Sequence, residues 1–201
     1  MTEVQRKAWG EVYAVFSREN HDNTFNTEGV QKIIKEYESI GLFSHLTSTQ
    51  IDSSKMRIST KELSNYGDIL LAFPNTIVYF DWESGNLYDP YKGLTSLFAK
   101  ASRGVFVPEN IVDDFIKNIK NKTTLFGFTF RGRRYEKELK ITDDWLDPDF
   151  MELIKTALKE QAPDIEIYSC LNDGQASGYI VLNKKQYDFL IKNQPSFLGK
   201  H

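Results

Sequence analysis

Phe126-Gly127-Phe128-Thr129-Phe130 places an aromatic ring at every second position. A strand sends alternate side chains to opposite faces, so three rings share one side and small residues share the other. Arg131-Gly132-Arg133 interrupts the pattern, and Tyr135, Leu139 and Ile141 resume it. This spacing predicts an antiparallel hairpin with one apolar and one polar face. A single hairpin is not stable alone in water, so the rest of the chain must supply strands and helices that cover the rings. Lys137 is the odd member: strict alternation puts it on the apolar face, where it either snorkels outward or sits in a bulge.

The flanking sequence supplies such elements. Val4, Ala8, Val12, Val15 and Phe16 fall at helical spacing over 3–18, and Val30, Ile33, Ile34 and Tyr37 do so over about 27–40, with Gly41 as a stop. Ser59-Thr60-Lys61-Glu62 has the spacing of a capping box before a short helix carrying Leu63 and Tyr66. Residues 76–82 are β-branched and aromatic and predict a strand. Asp89-Pro90 and Asp147-Pro148 each pair an N-capping residue with a first-turn proline. Pro108 is expected to precede a helix carrying Ile111, Val112, Phe115, Ile116 and Ile119. Strands are expected around Ile167 and Ile180, and Asn183 is placed to cap a final helix holding Tyr187, Phe189 and Leu190. This order predicts an α+β fold with a largely antiparallel sheet, packed helices and a mainly helical N-terminal part. We expect one domain over 1–198, with a helical layer at 1–75 and a sheet-bearing part at 76–198 that share a core; 199–201 is set aside as an expression remnant.

Composition narrows the function classes. The 201 residues include 14 Phe, 10 Tyr and 3 Trp, enough ring area for a sizeable core. With 25 basic and 28 acidic residues, the net charge of −3 gives no general attraction to nucleic acid or anionic membrane. Cys170 is the single cysteine, which excludes internal disulfides and zinc sites that need two thiolates. Residues 1–10 lack the apolar run of a signal peptide, and the longest clean apolar run, near 69–73, is too short to span a bilayer. The expectation is a cytoplasmic protein with no cofactor and no metal.

Four constellations remain. Asp143, Asp144, Asp147, Asp149 and Glu152 set five carboxylates around Trp145 within ten residues. Acids are favoured at a helix start by the exposed N–H groups there. The same set with an aromatic anchor would also suit a basic protein partner. Its spacing lacks the glycine and bidentate glutamate of a calcium loop. Glu138-Leu139-Lys140 has the E-x-K form of one nuclease superfamily, on a face that also holds Arg134 and Glu136. Arg131, Arg133, Arg134, Lys137 and Lys140 form the one basic cluster, either a nucleic-acid platform or a charged strand that resists edge pairing. Cys170 has no histidine near it in sequence, His21 and His45 being remote. No phosphate loop, dinucleotide fingerprint or G-x-S-x-G elbow is present.

From Phe126 to Leu190 the chain resembles uncharacterised bacterial proteins associated with toxin–immunity loci. The resemblance lies in the Phe-rich hairpin, Asp143-Asp144-Trp145-Leu146-Asp147-Pro148, the following helix, Asp173-Gly174 and the strand ending Val181-Leu182. It covers about a third of the chain and implies a cytoplasmic inhibitor that binds a basic toxin through an acidic face. The expected function is therefore a non-enzymatic binding protein of immunity type, with Asp143, Asp144, Trp145, Asp147, Asp149 and Glu152 as partner-binding residues. The alternatives are an enzyme whose site assembles from distant residues and an RNA-binding accessory protein.

Overall fold

Apolar periodicity and turn chemistry set the elements seen in a computed structural model, which describes residues 27–59, 63, 66–85, 88–118, 120–172, 174–194, 197 and 198. The helix expected at 3–18 and the Thr60-Lys61-Glu62 part of the expected capping box lie outside the described residues. The chain divides into two compact units between Pro74 and Asn75.

The first unit holds α1 (Thr27–Ser39), α2 (Ser48–Ser59) and α3 (Tyr66–Leu71). Helix α1 buries Val30, Ile34 and Tyr37, three of its expected stripe. Gly41, at φ 76°, ends it in the left-handed conformation that glycine adopts without a Cβ penalty. Helix α2 starts at a box that sequence reading passed over: Gln50 N–H donates to Thr47 Oγ1 (3.2 Å) and Thr47 N–H donates to Gln50 Oε1 (2.9 Å). Phe43 stacks on Phe73 at 3.7 Å between ring centroids. Leu63, expected to share a helix with Tyr66, is not helical, and α3 starts at Tyr66.

In the second unit, β1 (Ile77–Asp81) pairs with β6 (Ala176–Asn183), which pairs with β5 (Ile165–Asn172); a second sheet runs in the order β2 (Glu109–Asp113), β3 (Thr123–Phe130), β4 (Arg133–Lys140). Every strand pair is antiparallel, so the fold is α+β, built on two small sheets. Helices α4 (Pro90–Ala101) and α6 (Asp149–Gln161) join both sheets in one core, with α5 (Phe115–Asn118) and α7 (Lys184–Asn193) completing the unit. Phe126, Phe128 and Phe130 are all buried there, as their spacing requires.

The hairpin closes through Arg131 (φ 49°) and Gly132 (φ 78°), with Phe130 opposite Arg133. Positive φ at both central residues matches the right-handed twist of the strands. The β3–β4 register runs without a shift, so Lys137 occupies no bulge. It snorkels instead: its Nζ reaches Asp149 at 2.7 Å. Asn183 caps α7 as expected, Gln186 N–H donating to its Oδ1 at 2.9 Å, and the Gln186 side chain completes a capping box.

Three expectations need correction. The segment after Pro108 is not one helix: residues 109–113 form β2 and, among the described residues, Phe115–Asn118 are helical. The spacing of a short apolar run fits both periods. The edge of β3 needs a backbone partner, and β2 supplies it, with a register irregularity between Glu109 and Val112 and Asn110 at φ 49°. Asp89 sits at the N-cap of α4 but its side chain makes no capping bond. Asp113 does that work from β2, its Oδ2 accepting Lys92 N–H at 2.9 Å while its Oδ1 accepts Phe115 N–H at 3.1 Å. Burial raises the Asp113 carboxyl above its ordinary range, and the N–H bonds oppose that rise. Finally, Asp147 stands one residue before the N-cap of α6, which is Pro148.

Candidate binding surface on the 82–85 and 142–149 segments

The segment after β4 turns on itself: Trp145 N–H donates to Thr142 O at 3.1 Å, with Asp143 at φ 56°. Two backbone bonds fasten it to the segment after β1. Gly85 N–H donates to Asp144 O (2.7 Å) and Leu146 N–H donates to Trp82 O (2.8 Å). Trp82 is itself anchored, its indole N–H donating to Ser177 Oγ at 3.0 Å. Leu146 and Phe150 are buried beneath. Trp145 is left 41% exposed on a segment fixed from both sides.

The six residues singled out in sequence have different surroundings. Asp147 is engaged within the fold: its Oδ2 accepts Lys140 N–H at 2.7 Å, its Oδ1 accepts Asp149 N–H at 3.0 Å, and its own N–H donates to the Tyr91 hydroxyl at 3.0 Å. Burial raises the Tyr91 hydroxyl well above its usual range, so it stays protonated. Asp149 pairs with Lys137, which holds that ammonium charged above its ordinary range, and Glu152 pairs with Lys155 at 2.9 Å. Among the described residues no cation lies within ion-pair distance of Asp143 or Asp144. Asp143 is exposed and Asp144 half-buried, and with the exposed Trp145 between them and the buried Leu146 they are the part of the set that no cation engages.

Sequence reading did not find Tyr88. It is 82% exposed, beside Asp89 at φ 47°. An exposed ring in a loop has no periodicity to announce it.

The other constellations are mostly engaged within the chain. Arg131 donates to Gln161 O; Arg133 pairs with Glu160 at 2.9 Å; Arg134 pairs with Glu136 at 3.1 Å and donates to Asn110 O at 2.9 Å. With Lys137 on Asp149, four of the five clustered cations already have partners, which leaves little free charge for a phosphate backbone. Glu138 and Lys140 do share the exposed strand face, and Glu138 accepts the Thr123 hydroxyl at 2.7 Å. Among the described residues no group of three or more His, Cys, Asp or Glu could hold a metal ion. No helix of the described residues is long and apolar enough to cross a membrane.

Cys170 lies in the β5–β6 register irregularity, and burial pushes its thiol far above the ordinary range. His45 belongs to the first unit, its Nε2 3.0 Å from Pro74 O, and His21 is outside the described residues. We expect Cys170 to resist a thiol reagent in the native protein and to react with one equivalent after unfolding in urea; rapid native labelling would restore it as a candidate nucleophile. Comparison of the chain with protein-family models, with curated protein sequences and with solved structures finds no match.

Proposed function

We propose that this chain is a non-enzymatic binding protein that docks a basic protein on the Asp143-Asp144-Trp145 segment. The supporting observation is the exposure of Trp145 at 41% on a backbone fastened by the Gly85–Asp144 and Trp82–Leu146 bonds. A large ring held in place loses little entropy on binding, and such anchors carry much of an interface's energy. The two carboxylates beside it add long-range attraction that speeds encounter with a cationic surface and selects against anionic ones.

The finer reading, an immunity-type inhibitor of a bacterial toxin, draws on the resemblance of residues 126–190. It expects the partner to be toxic when produced alone and harmless when produced with this chain.

Affinity capture from the source cells tests the docking segment. The unmodified chain is expected to retain a basic protein. A variant with Asp143→Asn, Asp144→Asn and Trp145→Ala should lose it by roughly 30-fold or more, the loss of about one strong anchor. Its circular dichroism and melting temperature should match the parent. Equal retention by the variant would remove the segment from the interface.

A further inference from the structure

Tyr168 of β5 and Tyr187 of α7 stack with 4.5 Å between ring centroids and 23° between ring planes. Near-parallel rings at that separation are in van der Waals contact. Both side chains are half-buried, so each keeps part of its ring in reach of solvent. The Tyr168 hydroxyl donates to Glu166 Oε2 at 3.0 Å. Burial and that hydrogen bond hold the Tyr168 phenol protonated above its ordinary range, and the charges of Glu166 and Asp188 act in the same direction.

We propose that Tyr168 and Tyr187 are an oxidative modification site, at which a one-electron oxidant, a haem peroxidase with hydrogen peroxide, joins the two rings through a carbon–carbon bond. This stands independently of the docking reading. Negative charge beside a phenol favours loss of its electron, and Glu166 is placed to take the proton that leaves with it. Each phenol gives up one electron and one proton, and together these reduce one peroxide to two waters. The two phenoxyl radicals couple through ring carbons ortho to oxygen, and the protons displaced from those carbons return to the oxygens. The product lacks two hydrogens, and no atom of the oxidant enters it. Rings already in contact couple faster than rings that must meet from separate chains. Burial keeps the Cys170 thiol protonated and out of the reaction. The new bond would tie β5, an outer strand of the first sheet, to α7, the last helix.

Treating the dilute full chain with a haem peroxidase and hydrogen peroxide, followed by peptide mapping in a mass spectrometer, tests this. The expected product is a monomer lighter by two hydrogens, in which one cross-linked peptide pair carries Tyr168 and Tyr187. Tyr168→Phe and Tyr187→Phe should each abolish that product while keeping the ring volume and the circular dichroism of the parent. Glu166→Gln should slow its formation several-fold, since the amide is a poor proton acceptor. An unchanged rate in that variant overturns the carboxylate's part. Tyr88, 82% exposed, is the internal competitor. Oxidation at Tyr88 with Tyr168 and Tyr187 left unlinked, cross-links only between chains, or a cross-linked monomer that survives either phenylalanine variant overturns the inference.

Discussion

Phe150→Ala is expected to destabilise the second unit by about 4 kcal/mol, the usual cost of removing a buried phenylalanine and leaving a cavity. Phe150 is fully buried in the first turn of α6. Its ring lies 5.3 Å from Tyr91 of α4, 6.0 Å from Phe80 of β1 and 6.4 Å from Phe126 of β3, between centroids. One ring therefore contacts a helix and both sheets. Neighbours held by three separate elements cannot collapse together into the space, which places the cost high in the usual range. Urea denaturation followed by circular dichroism measures it as a lowered midpoint with an unchanged slope. Phe150→Leu, which keeps most of the volume, should cost roughly 1.5 kcal/mol. A loss below about 1 kcal/mol for the alanine variant would show that the two sheets do not depend on this ring.

Gly85→Ala should cost about 3 kcal/mol, from overpacking together with a lost backbone hydrogen bond. A Cβ at Gly85 would lie 2.7 Å from Phe115 Cζ and 2.8 Å from Asp144 O. The phenyl ring is buried and the carbonyl is main chain, so neither can move aside cheaply. The Gly85–Asp144 bond would have to lengthen, and with it one of the two fastenings of the Trp145 segment. The expected readout is a melting temperature lower by roughly 10 °C. Partner capture should weaken as well, since the anchor is no longer held in place. Gly93 is the control: a Cβ there meets nothing within 4 Å, and it lies in the interior of α4. Gly93→Ala should raise stability by about 0.5–1 kcal/mol. If both glycines respond alike, close packing at Gly85 is not the cause.

The hairpin and the α7 cap were legible because each is written in a few neighbouring residues. Alternating rings fix the faces of β3, and Asn183 with Gln186 fixes the start of α7. Helix α2 carries an equally local signal at Thr47 and Gln50, but its apolar residues are sparse, and Ser54 takes a buried position. Hydrophobic spacing alone passes over such a helix. The segment after Pro108 failed differently. Its apolar residues fit a helix, and the unpaired edge of β3 made them a strand. The binding surface was half legible. Its 143–149 part is a contiguous acidic run, whereas Trp82 and Gly85 join it through backbone atoms, which carry no side-chain signal. Asp113 shows the same limit, capping α4 from another element while Asp89 holds the position that the sequence favours.

The strand order of the first sheet sets a timetable for synthesis. Ile77 of β1 pairs with Ile180 of β6, so 180 − 77 = 103 residues of chain separate the partners. A ribosome adding about 5–20 residues per second needs roughly 5–20 s to bridge that interval. The β3–β4 partners, separated by a two-residue turn, can meet within microseconds of their emergence. The nascent chain thus carries Ile77–Phe80 without its strand partner for seconds, while β3 and β4 are already both present. Its window for wrong association falls during translation, and a holding chaperone would act on β1 before release from the ribosome.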